Sequence, residues 1–111
     1  MDIRISELNQ KIKIVRNVIS TNDNMVEEER EIEIASVWAK AQNMSGTEMF
    51  KANTSYSKTT TRFIIRFRKD ITTDDFIKLN NNKFNIVYIN NYNYSNEFLE
   101  IVGELIVWML I

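Results

Sequence analysis

Apolar and polar residues alternate along much of this chain with the two-residue period of β-strands. Residues 11–20, KIKIVRNVIS, are β-branched and partly alternating, which predicts a first strand. Residues 21–28, TNDNMVEE, are polar and carry Asn and Asp, which predicts a loop or hairpin tip. Residues 29–42, EREIEIASVWAKAQ, begin as a strand with Ile32 and Ile34 inward and Glu31 and Glu33 outward. The parity then switches. Ala35, Val37, Ala39 and Ala41 take the opposite face, and Trp38 falls on the first. A β-bulge, or burial on both faces, accounts for such a switch.

Residues 45–57, SGTEMFKANTSYS, have a different rhythm. Ser45 and Glu48 fit a capping box, in which each side chain bonds the other's backbone N–H. Met49, Ala52, Asn53 and Tyr56 follow at helical spacing, so one short helix is expected here. Residues 60–68 return to strand period, with Phe63, Ile65 and Phe67 on one parity and Arg62, Arg66 and Arg68 on the other. A turn at 69–75, a short strand at 76–79 and an Asn hairpin turn at 80–82 come next. Residues 83–90 place Phe84, Ile86 and Tyr88 on one face, residues 91–96 make another turn, and a last strand runs over 97–108 with Leu99, Ile101, Leu105 and Val107 on one side. The expected fold is mainly β: a small six-stranded barrel or sandwich with one short α-helix. Closure of the sheet hides strand edges that otherwise pair with other chains.

The 111 residues suffice for one domain with one modest core, and no linker or repeat divides them. Residues 1–9 read as an N-terminal arm and 106–111 as an apolar tail. The chain has no Cys and no His, which excludes disulfides, thiolate chemistry, Ser-His-Asp and Cys-His sites and most zinc sites. No enzyme activity, catalytic residue, metal or cofactor is expected. The start, MDIRISELNQKIKI, lacks the pattern of a secretory signal. The apolar run at 105–111 is far shorter than the ~20 residues of a membrane-spanning helix.

Net charge is −1, but the charge is segregated. Residues 23–33 sum to −5, residues 40–69 to +6 and residues 70–111 to −4. Each run reads first as a solvated face. Alternating blocks of opposite sign also suit a protein that touches copies of itself.

One ordered series of segments resembles the phage head–tail joining family, the small head completion or stopper proteins of tailed bacteriophages. A strand through Trp38 and Ala39 leads to a turn with Ser45, Gly46 and Glu48. A strand ending in Ile65, Arg66, Phe67 and Arg68 follows, then Ile71 and Ile77, then a turn, an aromatic and an Ile at Asn81, Phe84 and Ile86. An acidic and aliphatic last strand closes the series. No single motif is specific, and the order and spacing over residues 10–105 carry the resemblance. The apolar tail and the acidic EEEREIE stretch depart from it.

The resemblance implies a virion protein of the phage neck, assembled in the host bacterial cytoplasm. It implies a homo-oligomeric ring, expected as a dodecamer, with a portal or adaptor protein above and a tail terminator or tail protein below. It implies transient contact with DNA in the channel that the ring lines or closes, and no contact with membrane. Within that frame Arg62, Arg66, Arg68, Glu29, Glu31 and Glu33 are candidates for a subunit interface or the channel wall. The arginines face water, an acidic neighbouring subunit or phosphate. Ser45, Gly46, Glu48, Lys51 and Lys58 are candidates for a channel loop, with a helix cap as the plain role of Glu48. Trp38, Phe63, Ile65, Phe67, Phe84 and Ile86 are the expected core anchors, and Trp38 also suits a subunit contact. A different class, a small barrel that binds single-stranded nucleic acid, needs aromatics beside a basic groove. The negative net charge, and the placing of Phe63 and Phe67 opposite the arginines, count against it.

Overall fold

The computed structural model describes residues 3–44 and 60–106. Six antiparallel strands close into a barrel: β1 (Gln10–Thr21), β2 (Glu27–Asn43), β3 (Thr60–Arg66), β4 (Phe76–Leu79), β5 (Asn82–Asn91) and β6 (Phe98–Leu105). Their order around the barrel is β1-β2-β3-β6-β5-β4, and β4 closes it by pairing with β1 over Lys13, Ile14 and Val15. The expected six strands and small barrel are therefore present. The expected helix at 45–57 lies outside the described residues; among the described residues the helical turns are two short 3-10 turns, at Ile5–Glu7 and Tyr92–Tyr94.

Alternation fills the interior. Ile12, Ile14, Phe63, Ile65, Ile77 and Ile101 are fully buried, and Phe84, Ile86 and Leu99 nearly so. Phe63 and Phe84 meet edge to face with ring centroids 5.1 Å apart. Gly103 makes that possible. A Cβ there would lie 3.0 Å from Cβ of Phe84 and 3.3 Å from Cε2 of Phe63. Four of the expected core anchors, Phe63, Ile65, Phe84 and Ile86, sit in this cluster, and Phe67 packs partly buried against it.

Two bulges decide which side chains fail to reach the interior. On β2, Ile14 pairs with Ala35 and Val15 with Glu33, so Ile34 is the extra residue. That is the expected bulge, and it turns Ala39 inward and Trp38 outward. Trp38 is thus not a core anchor: it is 54% exposed, with the ammonium of Lys11 4.9 Å from its ring centroid. On β5, Ile86 pairs with Gly103 and Tyr88 with Val102, leaving Val87 extra. This bulge sends Tyr88 outward, away from the face of Phe84 and Ile86.

The first hairpin outgrows the barrel. β4 pairs with β1 only up to Val15, and β3 pairs with β2 only over residues 40–43. Beyond those points β1 and β2 continue as a two-stranded arm to the tip at residues 22–26, and every side chain of Glu27–Glu33 is exposed. The Asn hairpin between β4 and β5 takes the expected form, with Asn80 in left-handed backbone at φ 55°.

Candidate functional site

The base of the arm is fixed by a buried carboxylate. Asp75 is fully buried just before β4, where its Oδ1 accepts from Nε of Arg16 at 2.7 Å and its Oδ2 from Nη2 at 3.0 Å. The N–H of Thr72 donates to the same Oδ2 at 2.9 Å, and Nη2 of Arg16 also donates to the carbonyl of Asp70 at 3.0 Å. Burial alone raises the Asp75 pKa. The Arg16 fork and the Thr72 N–H outweigh it and hold the carboxyl below its ordinary range. Sequence reading missed this pair, because nothing local marks a contact between β1 and the turn ahead of β4.

Further out, Glu31 reaches from β2 to the β4–β5 hairpin, accepting from Lys78 and, at 3.0 Å, from Lys83. Both hydrogen bonds lower its pKa. Glu33 lies 3.6 Å from Lys13. The tip is built around Asn22. Its Oδ1 accepts from the N–H groups of Asn24 and Val26 at 2.9 and 3.0 Å, and its Nδ2 donates to Glu28 at 2.8 Å. This holds Met25 in left-handed backbone, φ 62°, a costly conformation for a residue other than Gly or Asn. The result is an apolar tip, with Met25 86% and Val26 56% exposed, ringed by Asp23, Glu27, Glu28 and Glu29.

The candidate arginines separate. Arg62 pairs with Glu100 on β6 at 2.7 Å, and Arg68 with Asp70 at 2.8 Å. Ile64, between Arg62 and Arg66 on the same parity, is buried, so this face is not a simple row of charges in water. Arg66 is exposed and has no ion pair among the described residues. Glu29 is likewise exposed without an ion pair among them, whereas Glu31 is committed within the chain. Arg66 and Arg68 border a groove of about 840 Å³ where β2 splays from β3. Its apolar walls are Ile5, Leu8, Val37, Trp38 and Phe67. The N-terminal 3-10 turn that supplies Ile5 is tied to β2 by a 3.3 Å ion pair between Glu7 and Lys40, which lowers the Glu7 pKa. Ser45, Gly46, Glu48, Lys51 and Lys58 lie outside the described residues.

Among the described residues no cluster of carboxylates has the makings of a metal site, and no helix is long and apolar enough to cross a membrane. The noteworthy surfaces are the acidic arm with its apolar tip and the arginine-edged groove.

A search of curated proteins by sequence gives no match. Among solved structures, the solution structure of protein SF1141 from Shigella flexneri 2a is similar, with a TM-score of 0.76 at 22% identity over 93% of this chain and 96% of that one. A chain from the virion of a native gene transfer agent particle is similar with a TM-score of 0.60 at 12% identity, over 90% of this chain and 96% of that one. At those identities the likeness is one of fold. The family comparison goes further: residues 3–105 match phage head completion protein, a span that takes in the whole barrel and the arm. The chain belongs to the phage head completion protein family.

Proposed function

We propose that this chain is a head completion or stopper protein of a phage neck. Its copies form a ring between the portal or adaptor of the DNA-filled head and the tail, and the ring lines the DNA channel. The protein does no chemistry, and its work is to present surfaces that hold neighbours in register. The observation that carries this reading is the family match across residues 3–105. The arm supports it: a small domain gains nothing in stability from a long, acidic, two-stranded projection, whereas a joint between subunits gains a contact surface.

Deletion of this chain from its phage is expected to leave heads that fill with DNA but leak it or stay tailless, with the wild-type neck showing the chain as a ring. Mutant particles with normal heads and tails would overturn the assignment. Gel filtration with an added oligonucleotide tests single-stranded nucleic-acid binding, and no co-elution is expected.

A further inference from the structure

The arm tip and the groove are complementary in both shape and charge. The tip offers two exposed apolar side chains, Met25 and Val26, inside a ring of carboxylates. The groove offers apolar walls, with the exposed Arg66 and the half-buried Arg68, itself paired with Asp70, at its edge. Both are prepared in advance. Asn22 pins the turn that thrusts Met25 outward in left-handed backbone, and positive-φ strain at an exposed position is a mark of a functional contact. The groove exists because β2 and β3 part company after four paired residues.

A chain cannot fill its own groove with its own tip. Along β2 from Glu27 to Ser36 the rise of ~3.3 Å per residue separates them by roughly 30 Å. The intervening arm is a paired hairpin, held at its base by Arg16–Asp75 and along its length by Glu31 with Lys78 and Lys83. Tip and groove therefore belong to different copies.

We propose that the hairpin tip of one copy, Met25 and Val26 with Glu27 and Glu29, seats in the groove of the next copy against Val37, Trp38 and Phe67, with its carboxylates on Arg66 and Arg68. Two unlike surfaces meet in this contact, so it is heterologous and repeats head to tail, and a head-to-tail contact whose rotation closes makes a ring. The inference rests on the ring reading above and names the contact that builds it. The acidic residues serve a second purpose. They discourage the free edges of the arm from pairing at random with other strands.

The chain has no native cysteine, so introduced thiols report without interference. Val26→Cys places one on the tip, and Ser36→Cys places one on the groove wall, both at exposed positions. The double variant is assembled into particles with the other neck components, treated with a short bis-maleimide, and run on a denaturing gel while the same particles are imaged. The expected result is a ladder of covalent multimers. The ladder is lost in either single variant, and lost when Asn81→Cys on the β4–β5 hairpin replaces Ser36→Cys. A ring in the images with no ladder, or a ladder from Val26→Cys alone, overturns the tip-in-groove contact and leaves the ring reading standing. Particles in which the chain forms no ring overturn both.

Discussion

Ile14 and Val18 lie on the same strand and on the same parity of it, and a reader of the sequence has no local reason to treat them differently. Ile14 is fully buried and Val18 only half-buried. The difference is in the neighbours. At Ile14, β1 is flanked by β2 and by β4, and its side chain enters the closed barrel. At Val18 only β2 remains, and a two-stranded ribbon has no interior. The lesson is that β-branched alternation specifies a strand, whereas burial belongs to the sheet around it. In the barrel, apolar residues stabilise the chain that carries them. On the arm Ile19, Met25 and Val26 stay exposed and add little to that stability.

The sharpest way to test this contrast is to empty the barrel. Phe63→Ala removes a fully buried ring from its edge-to-face partner Phe84, and should destabilise the fold by about 3–5 kcal/mol, read from urea unfolding. Gly103→Ala attacks the same pair from the other side. Its new methyl is forced against Phe84 and Phe63, and a loss of about 1–3 kcal/mol is expected in the same assay.

Asp75 joins the two regions and makes stability depend on pH. Its folded pKa is depressed, so its contribution is fully present above the unfolded value of about 3.9. That contribution is lost as pH falls through the lower folded value. Thermal melts between neutral pH and strong acid should show a wild-type midpoint that drops in the acid range. Asp75→Asn, less stable at neutral pH, should show a shallower drop.

On the arm the same kinds of change should cost the fold little. Met25→Asn keeps left-handed backbone comfortable and removes the apolar tip. Its stability should stay within about 0.5 kcal/mol of the parent, while incorporation into particles fails. Arg66→Glu with Arg68→Glu should likewise leave a folded chain by circular dichroism, since Arg66 is exposed and the Arg68–Asp70 pair is a half-exposed surface pair of small worth. Necks should still fail to assemble, because like charges then oppose the acidic tip. A double variant that assembles normally but stalls at DNA ejection would instead put the arginines against phosphate.

Most of the barrel was legible in the sequence. Strand positions, the Asn turn at 80–82 and the interior places of Phe63, Ile65, Phe84 and Ile86 all follow from period-two patterning and turn chemistry. The bulge at Ile34 is visible as a parity switch, yet the parity of Ile32 and Ile34 carried on to Trp38 gives the wrong face, because a bulge inverts every side chain that follows it. The bulge at Val87 gave no such warning, since Val87, Tyr88 and Ile89 are all apolar and either parity reads well. The arm was not legible as an arm. Ile32 and Ile34 alternate with Glu31 and Glu33 as in any half-buried strand; Ile34 does pack partly buried against the core, and only the short pairing of β3 and β4 shows that Ile32 stays exposed. The candidate charges stand out in the sequence by type and run, which does not show that Arg62 and Glu31 are spent on Glu100, Lys78 and Lys83 within the chain.

Hydrogen exchange on the chain alone and in assembled particles tests the central contrast most directly. In the chain alone, amides on the interior strands of the barrel should exchange slowly, and those on the open edges of residues 16–21 and 27–36 quickly. On assembly the barrel should change little, while the tip and the arm gain protection. An arm that exchanges equally fast in the particle, or that is already as protected as the barrel in the chain alone, would contradict the account.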